Sequence, residues 1–267
     1  MNELEPVRPA RSQDGQGLRF NLVGFPTRID PSFLIIVALI GFDGSASRLA
    51  VWVGLAVVSV LAHELGHALA ARRMGATASI SLQGMGGLTR SSRAEPFSRS
   101  ESALLSAAGP AAGILVGLPV LFAIGALDWP SWTMGGFALR TAAFTTLGWS
   151  ALNLLPIVPL DGGHLLEQAL PGTPAARQRL AAQISIGLAA GGGFLAYQAG
   201  MPYAILLAVM FGAQNLAVLR QQPARPASPR LSPSAAASIL LEPVPPRPTR
   251  DADPLPASPP VTPPGEA

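Results

Sequence analysis

Residues 57–70 (Val57-Val58-Ser59-Val60-Leu61-Ala62-His63-Glu64-Leu65-Gly66-His67-Ala68-Leu69-Ala70) constrain this chain more than any other stretch. They hold no proline, carry little turn chemistry and continue an apolar run from Leu49, which predicts a helix. At 3.6 residues per turn, His63 and His67 stand one above the other on a single face. Two imidazoles so placed reach one ion. Glu64 lies beside them, close enough to take a proton from an activated water without being a ligand. This is the H-E-x-x-H arrangement of zinc hydrolases. A lone buried His is most often a hydrogen-bonded core residue, but two His and a Glu in one apolar span leave that reading little room. Ionisable groups inside a membrane span mark function.

The setting is membranous by composition. Of 267 residues, 49% are apolar and only 12% are charged, against about 25% charged in soluble domains. Cysteine is absent, so there is neither a disulfide framework nor a thiolate zinc site, and any metal falls to His, Asp or Glu. With three His in the chain, each one is informative. All 18 basic residues are Arg, scattered at segment ends and not gathered on one stripe, which argues against nucleic acid as a partner despite the net charge of +3. Residues 1–19 are polar and lack the apolar core of a cleavable signal peptide.

Read in order, the chain predicts an all-α polytopic membrane protein with six transmembrane helices. Residues 1–30 form an N-terminal arm, its 20–30 portion a short extended piece at the membrane surface. The membrane domain covers 31–220. The first apolar run, 32–42, is short for a span of about 20 residues. The second helix, 48–75, carries the His pair. Residues 76–93 are too polar for a span and read as a β-hairpin or a re-entrant segment edging the active site, since irregular backbone at membrane depth is tolerated only where it lines a cavity. Further spans follow at 101–127, 136–155, 181–197 and 202–219. Small residues in the first of these (Ala107, Ala108, Gly109, Ala111, Ala112, Gly113) allow close helix contact. Residues 221–267 hold 14 of the 27 prolines and read as a disordered tail. Within it, 235–241 reads as low complexity in preference to a docking helix.

Six spans place the N-terminus, 72–99, 161–179 and the tail on one side, where 16 of the 18 Arg residues fall. The positive-inside rule then puts both termini in the cytoplasm of a multi-pass cell-membrane protein.

A zinc site that leaves one position open for water needs a third protein ligand. Away from the motif helix, Asp161 and His164 are the candidates. Asp161 follows Pro156 and Pro159 and precedes Gly162-Gly163, so the helix breaks and reverses tightly there. An Asp before Gly-Gly is also an ordinary helix cap or turn, and on these residues alone the turn is the simpler reading.

His63-Glu64-Leu65-Gly66-His67, taken with Asn153-Leu154-Leu155-Pro156-Ile157-Val158-Pro159-Leu160-Asp161-Gly162-Gly163, closely resembles the site-2 protease family of intramembrane zinc metalloproteases. The two motifs, about 90 residues apart in one polytopic chain, are far more specific together than either is alone. The likeness extends to 24–33, to Gly86-Gly87 and to 108–113, and covers roughly residues 20–215. It implies a Zn2+ held by His63, His67 and Asp161, with Glu64 as general base and Asn153 hydrogen-bonding an unwound substrate. It also implies a substrate in the bilayer: a transmembrane protein, for instance a membrane-bound regulator such as an anti-sigma factor or a pro-sigma factor. Three positions depart from the usual pattern: Asp30 where relatives often have His, Ala112 where many have Asn, and Trp149 where Phe commonly stands. The spacing leaves no room for a PDZ insertion, as in the compact branch of the family. Two other readings compete. A metal-binding transporter would need polar residues along several spans, which are almost purely apolar here. An inactive scaffold of the same fold would not need His63, Glu64, His67 and Asp161 together.

Overall fold

The computed structural model describes residues 17–221 except Met85. The sequence outside 17–221, with the polar N-terminus and the Pro-rich tail, lies outside the described residues. Within the described part, residues 18–29 fold as a hairpin of β1 (Leu18–Leu22) and β2 (Phe25–Ile29). Val23 and Gly24 between the strands both take positive φ, 52° and 86°, the twist that a two-residue hairpin turn requires. A β-branched residue adopts this conformation at a cost. Arg72 braces it: its Nη1 donates to the Val23 carbonyl (3.1 Å), and its guanidinium lies 4.5 Å over the Phe25 ring.

Asp30 then caps α1 (Pro31–Gly41), its Oδ1 accepting from the Ser32 N–H at 3.0 Å while Pro31 opens the first turn. Hydrogen bonds from Ser32 hold the Asp30 carboxyl below the usual carboxylate range. The long helix α2 (Ala46–Arg73) follows, then a second hairpin, β3 (Thr77–Gln83) and β4 (Gly86–Ser92). Strands β2 and β3 pair in parallel, with Thr27 opposite Ile80, and both hairpins are antiparallel, giving the order β1-β2-β3-β4. The segment at 76–93, open between hairpin and re-entrant loop on sequence, is a hairpin. Phe25 and Ile29 of β2 and Ile80 and Leu82 of β3 share one buried cluster with Phe33 and Val37 of α1 and Ala56, Val60 and Ala68 of α2. Each large side chain there contributes about 1.5–3 kcal/mol relative to exposure. This cluster fastens the sheet to the helix that carries the His pair.

Helix α3 (Arg99–Leu127) opens with a capping box of Ser98 and Glu101. It approaches α2 through small residues: a Cβ at Gly66 would run into the Ala108 carbonyl and the Ala112 side chain. Where the fourth span is expected, at 136–155, residues 134–153 are helical but not uniform. They run as α4 (Met134–Ala143), a π-helical turn (Phe144–Gly148) and α5 (Trp149–Asn153). The hydroxyls of this stretch offer the backbone competing partners. Thr145 Oγ1 donates to the Thr141 carbonyl (2.9 Å), Thr146 Oγ1 to Ala142 (2.6 Å) and Ser150 Oγ to Thr146 (2.8 Å), and the ladder opens to a π turn.

After the Pro156–Pro159 turn come α6 (Asp161–Ala169), α7 (Pro174–Gln198) and α8 (Pro202–Arg220). Helix α7 starts before the expected 181 because Thr173 caps it and Pro174 opens it. Helices α2, α3, α7 and α8 are long and apolar enough to cross a bilayer. With its 11 residues, α1 reaches only roughly 16 Å at about 1.5 Å per residue, half of a hydrocarbon core of roughly 30 Å. Among the described residues, four helices of spanning length thus stand where the sequence suggests six. The protein is a mostly helical membrane protein with a small mixed sheet, and the expectation of an all-α fold is corrected to that extent.

Candidate metal centre

Two elements far apart in sequence build one cluster. Helix α2 supplies His63, Glu64 and His67, with His63 and Glu64 buried. Asp161, the first residue of α6, reaches the pair: its Oδ2 lies 3.0 Å from His63 Nε2 and 3.4 Å from His67 Nε2. The two Nε2 atoms are 3.2 Å apart. Ligands of a tetrahedral zinc at about 2.1 Å would stand roughly 3.4 Å from one another, so the three donors fit one ion. The tautomer of His67 agrees. Its Nδ1–H donates to the Leu105 carbonyl of α3 at 2.7 Å, because a carbonyl can only accept, so in the neutral ring it is Nε2 that is free to bind an ion. His63 differs, for its Nδ1 is buried without a hydrogen-bond partner.

Asp161 does not cap α6 with its side chain. Leu160 occupies the cap position of α6 with no side-chain capping bond, and the Asp161 carboxylate turns to the histidines. The tight reversal depends on glycine: a Cβ at Gly162 would strike the Leu154 carbonyl, and one at Gly163 the backbone of Ile157 and Val158. His164 borders the same cavity but is not one of the converging donors. It is half exposed, with Nδ1 3.8 Å from Glu167 Oε2, and it stays outside the group of donors able to share an ion.

Glu64 is held from the sheet. Thr89 Oγ1 of β4 lies 2.7 Å from Glu64 Oε2 and 3.0 Å from the Glu64 carbonyl. A Cβ at Gly87 would occupy the place of the Glu64 carboxylate. Asn153, at the end of α5, is buried and donates from Nδ2 to the Trp149 carbonyl at 2.9 Å. All these residues border a cavity of about 260 Å³, with Ser91, Ser106 and Trp149 also in its wall. The sequence reading missed Thr89 and gave Gly109 only a packing role. Period-two alternation in β4 carried the signal for the first, since Gly87, Thr89 and Ser91 share one face.

Residues 33–192, well over half of the chain, match the Peptidase M50B-like family. The chain belongs to the peptidase M50B-like family. A zinc metalloprotease of Methanocaldococcus jannaschii is 28% identical over 156 residues, 57% of this chain and 44% of that protein. A second relative, from Synechocystis, is 28% identical over 162 residues, 55% of this chain and 42% of its own. The chain therefore spans less than half the length of these curated relatives. In structure, it resembles the site-2 protease from Methanocaldococcus jannaschii, with a TM-score of 0.56 at 23% identity, over 79% of this chain and 98% of that one. The likeness read from the two motifs is thereby borne out at the level of family and fold. In this peptidase M50B-like chain, the matched range takes in His63, Glu64, His67, Asn153 and Asp161, whereas the β1–β2 hairpin and α8 fall outside it.

Gly109 of α3 offers a direct test of the cradle. A Cβ there would fall on His67 Nε2 and His63 Nε2, in the space the donors enclose. An overpacking cost of about 1–3 kcal/mol corresponds to roughly 5- to 150-fold weaker metal binding by Gly109→Ala. Chelator competition on the purified protein measures this. Gly54→Ala is the control, because nothing lies within 4 Å of a Cβ at that position, and it should bind as tightly as wild type.

Proposed function

We propose that this protein is an intramembrane zinc metalloprotease that hydrolyses a peptide bond within or near a transmembrane helix of a membrane-protein substrate. The observation that carries this reading is the convergence of His63, His67 and Asp161 on one point, with Glu64 next to His63 on a helix of spanning length. His63 and His67 would hold the metal through Nε2 and Asp161 through Oδ2. When bound, zinc supplies Lewis acidity toward the scissile carbonyl and lowers the pKa of water.

The rest falls to the chain's own groups. Thr89 ties down Glu64 Oε2, which leaves Oε1 to accept the proton of the attacking water and pass it to the leaving amine. One Nδ2 proton of Asn153 is taken by the Trp149 carbonyl, and the remaining amide groups serve a substrate backbone. That backbone has to unwind, since a helical peptide bond is shielded and hydrogen-bonded. The hydroxyls of Thr89, Ser91 and Ser106 in the cavity wall give water a polar path to the site.

The membrane arrangement belongs to the same proposal. Residues 31–220 form a six-helix domain in which α1 is a partial span and 134–153 makes the fourth crossing, with 1–30 as an arm and 221–267 as a tail. The Arg distribution supports a cytoplasmic location for both termini. A membrane-bound regulator, such as an anti-sigma or pro-sigma factor, is the kind of substrate this architecture suits. Cleavage of a reporter transmembrane substrate by the full chain in detergent tests the reading. Activity should vanish on removal of metal by a chelator and return with Zn2+. Cleavage that persists in metal-free protein would overturn it.

A further inference from the structure

We propose that Ser185 of α7 and Asn215 of α8 are positioning residues for the metal site, gripping the Val158 peptide from two sides and so fixing the turn that delivers Asp161. The inference rests on the reading of Asp161 as the third ligand. The Val158 N–H donates to Ser185 Oγ at 2.9 Å, and Ser185 in turn donates to the Ala181 carbonyl at 2.7 Å. The Val158 carbonyl accepts from Asn215 Nδ2, which also donates to the Phe211 carbonyl at 2.8 Å. Both polar groups of one peptide residue are thus satisfied by two helices that contribute nothing else to the cluster.

The placement of the two side chains is telling. Ser185 and Asn215 are 0% and 1% exposed, and Asn215 is the one fully buried residue of α8. A polar residue at such a place in an apolar span needs a reason. Val158 sits three residues before Asp161, between Pro156 and Pro159, neither of which can donate a hydrogen bond. Short local bonds, from Ile157 N–H to the Leu155 carbonyl (2.7 Å) and from Leu160 N–H to the Ile157 carbonyl (2.8 Å), shape the turn but leave the Val158 groups to Ser185 and Asn215. Where water is scarce, an unmet peptide group is costly. Without its clamp the turn would move to find other partners, and Asp161 would move with it. Neither residue touches the histidines or the carboxylate, so the effect passes through the turn.

The test uses the full chain in detergent and two readouts besides cleavage: Zn2+ affinity by chelator competition, and the ligand-field spectrum of the Co2+-loaded protein. Groups that merely orient ligands are worth roughly 10- to 100-fold in metal affinity. Ser185→Ala and Asn215→Leu should each weaken Zn2+ binding by about 10-fold or more and alter the Co2+ spectrum. Ser185→Thr, which keeps the hydroxyl, should restore both. The double variant should lose less than the product of the two single losses, since both act on one peptide. Wild-type affinity and spectrum in both single variants, beside metal loss in Asp161→Asn, would overturn the clamp and leave the site reading standing. Full metal binding by Asp161→Asn would overturn the site reading itself. If Asn215→Leu fails to fold, the Ser185 pair decides alone, and a Ser185→Thr protein as weak as Ser185→Ala sinks the proposal.

Discussion

Replacing Glu64 by Gln should leave the metal in place and reduce cleavage by on the order of 10²- to 10⁴-fold, the usual worth of a general base. The side chain is buried, packs against the Gly87 backbone and meets Thr89 Oγ1 at 2.7 Å. Gln has the same shape and can keep the contact with Thr89, so the cradle should survive. What disappears is the ability of Oε1 to take a proton. The measurement pairs metal content by elemental analysis with cleavage of a reporter substrate. Zinc lost together with activity would make Glu64 a ligand and defeat the assignment. Unchanged cleavage would remove it from the chemistry altogether.

Asp161→Asn should do the opposite, keeping the fold and losing the metal. The amide is close in size to the carboxylate but neutral, and it replaces the one anionic donor among the three groups. Loss of a hydrogen-bond partner to a ligand already costs roughly 10- to 100-fold in affinity, so loss of the ligand's charge should exceed about 100-fold. A capping residue would behave otherwise, because Asn caps a helix about as well as Asp. His164→Ala is the matched comparison, and it should bind zinc as wild type does, since His164 is half exposed and stands apart from the donors. An active Asp161→Asn enzyme beside a zinc-free His164→Ala protein would exchange their roles.

What the sequence revealed of this site follows the distance over which each relation acts. His63 and His67 were legible because the i, i+4 spacing on one helix is a local rule. Asp161 was ambiguous because Asp-Gly-Gly supports both a turn and a ligand, and the choice depends on packing against a helix 98 positions earlier. The second hairpin could be placed from its glycines and hydroxyls, but the parallel pairing of β2 with β3 across two intervening helices left no local trace. The π turn at Phe144–Gly148 was invisible for another reason. Threonines in an apolar stretch fit an α-helix equally well until their hydroxyls are seen bonding to the carbonyls behind them. Two of the three departures from the family pattern acquire ordinary explanations: Asp30 caps α1, and Trp149 borders the cavity.

The parallel pairing of β2 with β3 also sets an order of assembly during synthesis. Because these strands run side by side in one direction, the α1–α2 segment must leave the sheet and return to the same edge before β3 can join it. The sheet therefore cannot close until both helices have been made and have turned back. Thr89 is the next to arrive, and it secures Glu64. The His pair must wait for Asp161, some ninety residues later in the chain, and the Val158 peptide gains its second partner only with Asn215, close to the end of the helical part. A nascent chain stalled anywhere before α6 would thus display the histidines without their carboxylate. The three groups that converge on one point come together only once α6 has been made, with α7 and α8 still to follow.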